Sequence, residues 1–97
     1  MEGYMRFTGQ MRFSGKLINQ SDKAEIKDVS GFVHVDIGAA TTWDGMVDLP
    51  DGAAVKRGES YRLVMDDERS GEILIQEILS KANKAEVATF LGLGSPP

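Results

Sequence analysis

The stretch that most limits the fold is residues 57–79, RGESYRLVMDDERSGEILIQEIL, where a polar block separates two runs with strand-like character. Tyr61, Leu63 and Met65 fall on one face of the first run, and Ser60, Arg62 and Val64 on the other. Successive side chains of an extended chain point to opposite faces, so this alternation describes a strand with one buried side. Asp66-Asp67-Glu68-Arg69-Ser70-Gly71 interrupts the pattern, and Ile73-Leu74-Ile75 opens a second apolar run that reaches Ile78 and Leu79. Two β-rich runs joined by a short polar loop containing glycine read as a hairpin. Gly71 is the residue expected to supply a positive φ there, because it lacks a Cβ.

The rest of the chain reads as short strands and turns. Met5-Arg6-Phe7-Thr8-Gly9-Gln10 is nearly repeated by Met11-Arg12-Phe13-Ser14-Gly15-Lys16, a period too short for a solenoid. The second copy continues into Leu17-Ile18 as the first core strand. The first copy is either a short preceding strand or part of an N-terminal extension over residues 1–10. Residues 19–23 form a polar turn. Residues 24–37 read as a long strand or a bent pair, with Val33, Val35 and Ile37 opposed to Phe32, His34 and Asp36. Residues 43–49 form another strand, which Pro50-Asp51-Gly52 ends as a turn because Pro presets φ. At residues 84–91, Asn83 and Glu86 have the spacing of a helix cap, but Val87, Thr89 and Phe90 favour a strand. The strand is the expectation, with residues 80–84 as its hairpin loop and residues 92–97 as a flexible tail.

No stretch carries a helical period. The form Ser/Asp-Gly-x-apolar recurs at Gly15, Gly31, Gly45 and Gly71, and glycines at such places mark the bulges and bends that closed sheets need. The expected fold is all-β: a small antiparallel six- to seven-stranded barrel or sandwich, in a single domain over residues 1–97. Connections are short, so strands adjacent in sequence are expected to pair.

Phe13-Ser14-Gly15-Lys16-Leu17, Trp43-Asp44-Gly45-Met46-Val47, the segment from Gly58 to Ile75 and Phe90-Leu91-Gly92-Leu93-Gly94 together resemble small bacterial β-barrel domains of uncharacterised families. The resemblance covers residues 11–94 and implies a small barrel with no particular activity. Asp67-Glu68-Arg69 stands where such domains often read Asp-Gly-Arg, which implies a different turn geometry. A PilZ-like reading, which would imply cyclic di-GMP, does not fit: after Asp28-Val29-Ser30 the glycine stands two places early.

The chain has no cysteine, which removes disulfides, thiolate metal sites and thiol nucleophiles. His34 is the single histidine, no zinc spacing surrounds it, and a structural role is expected. Neither acidic loop has the alternate-position spacing of a calcium loop. No phosphate-binding glycine loop or nucleophile elbow is present, so the expectation is not an enzyme and no cofactor. Asp36, Asp44, Asp48 and Asp51 form one acidic segment without a basic residue, and Asp66, Asp67, Glu68, Glu72 and Glu77 another with only Arg69. Such loops repel phosphate backbones, so nucleic acid is disfavoured. With no leader-like apolar stretch and no apolar run of about 18 residues, the expected location is cytoplasmic, without membrane contact.

What remains is an interaction or regulatory module whose sheet edge or acidic turns meet a protein partner, including another copy of itself. Trp43 reads as a core anchor or as an exposed hot spot with Tyr61 and Arg62 beside it, and Asp66, Asp67 and Glu68 supply the acidic turn. Two alternatives remain open. One is a small-anion or nucleotide sensor built on Arg6, Arg12 and Lys16. The other is an OB-like oligonucleotide binder that stacks bases on Phe7 and Phe13 beside Arg12.

Overall fold

A computed structural model describes residues 7–38, 40–80 and 86–97, with residues 7, 8 and 80 described by backbone alone. Among the described residues there are six strands and no helix: β1 (Phe7–Asn19), β2 (Glu25–Ile37), β3 (Thr41–Asp48), β4 (Ser60–Met65), β5 (Ser70–Ser80) and β6 (Glu86–Leu93). They close into an antiparallel barrel in the order β1-β2-β3-β6-β5-β4. The segment from Glu86 is thus a strand, as its β-formers suggest. Asn83 and the loop expected around it lie outside the described residues.

The expectation that sequence neighbours pair holds for four connections and fails at one. β3 and β4 do not pair; β3 pairs with β6, and β4 pairs with β1. The physical reason lies in residues 49–59, which are longer than a hairpin loop. They carry Leu49 and Val55 back into the core, where each is 4% exposed. Burial of these two side chains ties the connection to the core as it passes from β3 to β4.

The inward phase of each strand fills the interior. Leu17, Val33, Val47, Leu63 and Ile73 have no exposed surface, and Tyr61 and Met65 join them while Arg62 points out. Along β2 this phase fades from buried Val33 through half-buried Val35 to exposed Ile37. β1 and β2 pair from Phe7 onward, whereas β4 covers β1 only from Gly15 to Asn19. The β1–β2–β3 sheet therefore runs past the barrel wall, and the molecule extends 51 Å in its long direction against 28 and 25 Å across.

The β4–β5 turn corrects one expectation. Gly71 has no positive φ; Glu68 takes it, at 74°. The Glu68 N–H donates to the Met65 carbonyl at 2.9 Å, and the Met65 N–H donates to the Arg69 carbonyl at 2.8 Å. A tight turn followed by a left-handed residue needs that conformation immediately after Asp67, three places before the glycine. Gly71 instead lies inside β5 opposite Leu63, where a Cβ would press on Trp43 Cη2 and Cζ2 at 2.8 and 3.0 Å. Gly15 borders the bulge in β1. At Gly15, Gly31 and Gly45 a side chain would strike the carbonyl of Val64, Met46 or Phe32 on the facing strand, so these positions serve close strand approach. The expected tail begins later than residue 92, because Gly92 and Leu93 belong to β6.

Candidate interaction surface

The outer wall carries an apolar strip that the ladder register assembles. Directly paired residues in antiparallel strands share a face, with Cβ atoms about 5 Å apart. One row runs His34 (β2), Asp44 (β3), Leu91 (β6) and Leu74 (β5). The next row sets Phe32 against Met46 and Met46 against Thr89. Leu93, two residues beyond Leu91 on the same face, stands opposite Glu72. Leu91 and Leu93 are 39% and 38% exposed, while Leu74, Met46 and Phe32 are half-buried. Carboxylates flank the strip: Asp44 lies 3.6 Å from the His34 imidazole, and Glu72 lies 3.8 Å from Arg62. Clustered exposed apolar side chains with a polar rim mark a contact surface more often than scattered ones do.

Trp43 is not an exposed hot spot. It shares the inward phase of β3 with Gly45 and Val47 and is 3% exposed. Its indole N–H donates to the Gly94 carbonyl at 3.1 Å, and its ring meets Phe90 edge-on at 6.2 Å. Tyr61 is also 3% exposed, so it too is a core residue. The two do not form a cluster with Arg62, because β3 and β4 are unpaired. Tyr61 donates its hydroxyl to Glu59 Oε1 at 3.2 Å, and Asn19 Nδ2 donates to the same oxygen at 3.1 Å. Burial pushes the Tyr61 phenol up from its ordinary value, although the Asn19 hydrogen bond pulls the other way. Asn19 also accepts the Ser21 N–H, at 2.7 Å, and so holds the β1–β2 turn.

Arg62 is exposed and faces Glu72. Asp66, Asp67 and Glu68 lie in the β4–β5 turn and are exposed. Within that turn Arg69 Nε donates to Asp67 at 2.8 Å, which holds the Asp67 carboxyl below its ordinary range.

Arg12 and Lys16 have different neighbours. Arg6 lies outside the described residues. Lys16 is 3.4 Å from Glu25. Arg12 is exposed and lines two grooves, one of about 420 Å³ that includes Asp48 and one of about 270 Å³ that includes Asp66 and Asp67. A carboxylate in each groove opposes an anion. Phe13, offered above as a stacking platform, is 7% exposed and belongs to the core. The Phe7 side chain lies outside what is described. Among the described residues no three His, Asp or Glu side chains gather as metal ligands, and no helix is long and apolar enough to cross a membrane.

The strip of Leu74, Leu91 and Leu93 escapes a reading of the sequence. Its only local signal is that Leu91 and Leu93 occupy the opposite phase from Phe90. That Leu91 meets Leu74 depends on the β5–β6 register, which shifts by a bulge between Ile75 and Glu77.

The fold is a small closed antiparallel β-barrel, and its outer wall carries an apolar strip. No protein-family model, no curated protein and no solved structure matches the chain.

Proposed function

We propose that this barrel is a non-catalytic interaction module that binds a protein partner across the outer wall of β3, β6 and β5. The observation that carries this reading is the apolar strip of Leu74, Leu91 and Leu93, with Asp44 and Glu72 at its rim. A matching partner has an apolar centre and basic side chains around it, since complementary rims steer encounter and reject wrong partners. An anion sensor built on Arg12 and Lys16 has less support, because Lys16 lies beside Glu25 and the grooves that Arg12 lines also hold carboxylates. The oligonucleotide reading loses Phe13 to the core, while the Phe7 side chain lies outside what is described.

The test is affinity capture with the wild-type chain and with Leu91→Asp, each at low and high salt. Leu91 stands on the outer phase opposite Asp44, so the new carboxylate should cost no more than about 1 kcal/mol and leave the variant folded. The wild type should retain a partner at low salt that Leu91→Asp does not. If both retain the same proteins, or the wild type retains none, this surface is not the binding face.

A further inference from the structure

We infer that the exposed edge of β1 pairs with the same edge of a second copy, antiparallel, around a two-fold axis at Gln10. This surface is separate from the outer wall proposed above. Among the described residues, the 7–13 part of β1 has a ladder partner only on its β2 side, because β4 and its turn reach no farther along that edge than Ser14, although the Arg69 side chain donates to Met11 Sδ at 3.4 Å. The Ser14 carbonyl accepts the Asp66 N–H at 2.8 Å, which shows that the polar groups of residue 14 point toward that edge. Residues alternate in the side to which their backbone groups point, and the β1–β2 register is unbroken from Phe7 to Gly15. The N–H and C=O of Arg12 and Gln10 therefore point to the same edge and away from β2.

Natural edges are blunted by Pro, by several charges or by bulges. This edge has no Pro, one charged residue (Arg12), and a bulge only farther on, between Gly15 and Leu17. Pro96 and Pro97 line a cavity of about 290 Å³ with Gly9, Gln10, Met11 and Val35. They have no N–H and cannot extend the ladder themselves.

These exposed groups are a template for a further strand, and a second copy supplies one with the right complementarity. With Gln10 facing Gln10, the ladder sets Gly9 against Met11 and position 8 against Arg12. No like charges meet. The half-buried Met11 and Val35 and the exposed Ile37 then lie on a sheet face that continues across the axis.

The chain has no cysteine, so one substitution tests the register. Gln10 residues that exchange hydrogen bonds sit with Cα atoms about 5.5 Å apart, within disulfide reach. On mild oxidation Gln10→Cys should form a covalent dimer far faster than Lys27→Cys, an exposed β2 position. Sedimentation of the wild type should show a concentration-dependent dimer. Gln10→Pro removes only the edge-facing N–H and should weaken that dimer by about tenfold or more. A monomer at every concentration up to about 1 mM would overturn the inference. So would equal cross-linking rates for Gln10→Cys and Lys27→Cys. If Gln10→Pro does not fold, the cross-linking comparison alone decides.

Discussion

Gly92→Ala is the substitution to which this fold should be most sensitive for its size. A Cβ built at Gly92 falls on the Trp43 indole, against Cγ, Cδ2 and Cε2. Gly71 bounds the ring on another side, where a Cβ would already sit 2.8 Å from Cη2. Phe90 meets it at 71°. The ring has two ways to accommodate a methyl group. If it shifts within the core, overpacking costs about 1–3 kcal/mol. If it swings out, it gives up about 200 Å² of burial, or about 5 kcal/mol, and a hydrogen bond worth about 1 kcal/mol. With both glycine walls and Phe90 restricting a shift, the expected loss is about 3 kcal/mol or more. For a domain of this size that lowers the melting temperature by about 12–24 °C. Trp43 is the only tryptophan, so urea unfolding followed by its emission reports both stability and the environment of the ring. Two comparisons isolate the cause. Gly58 has a φ of 86° and open space around it, so Gly58→Ala should cost only the left-handed strain, about 1–2 kcal/mol. In a Trp43→Ala background, with unfolding followed by circular dichroism because no tryptophan is left, Gly92→Ala should cost less than about 1 kcal/mol, because Cγ, Cδ2 and Cε2 are all gone. A wild-type-like emission spectrum with a loss below about 1 kcal/mol for Gly92→Ala alone would refute the packing described for Trp43.

Other expectations are separate from that core. Glu68→Gly removes a left-handed non-glycine residue and should stabilise the protein by about 0.5–1 kcal/mol, read as a higher urea midpoint with an unchanged slope. Phe13→Ala should cost about 3–5 kcal/mol in the same assay, because the ring is packed in the core; a near-neutral effect would restore Phe13 as a surface platform. Burial raises the Tyr61 phenol above 10.0, so the folded protein keeps a proton there that the unfolded chain has released. Stability from this group is complete below that ordinary value and falls as pH rises toward the folded one. Phenolate absorbance in a Tyr4→Phe background should show the late titration, and titration at the ordinary value would contradict the burial.

Much of the wall material was legible in the sequence. Tyr61, Leu63 and Met65 announce β4 by phase alone, and Val87 with Phe90 outweighs the helix cap suggested at Asn83. These are local signals, because a strand with one wet face must alternate. Trp43 was open between core and surface because its phase along β3 gives a face but not which face is inside. Gly71 was assigned to the turn because composition shows where a glycine is available, not which residue the turn geometry needs. The apolar strip and the free edge were invisible for a related reason. Leu91 meets Leu74, and β1 outruns β4, only after the register is set.

The chain by itself determined that it would be sheet, where the strands run and which residues share a face, since each follows from neighbours a few positions apart. Only the tertiary structure decided that β3 would leave β4 for β6, that β4 would close on β1, and that Trp43 would rest on Gly71 and Gly92. Closure joins strands distant in sequence, and their choice is set by burying Leu49, Val55 and the indole together, a condition that no single segment contains.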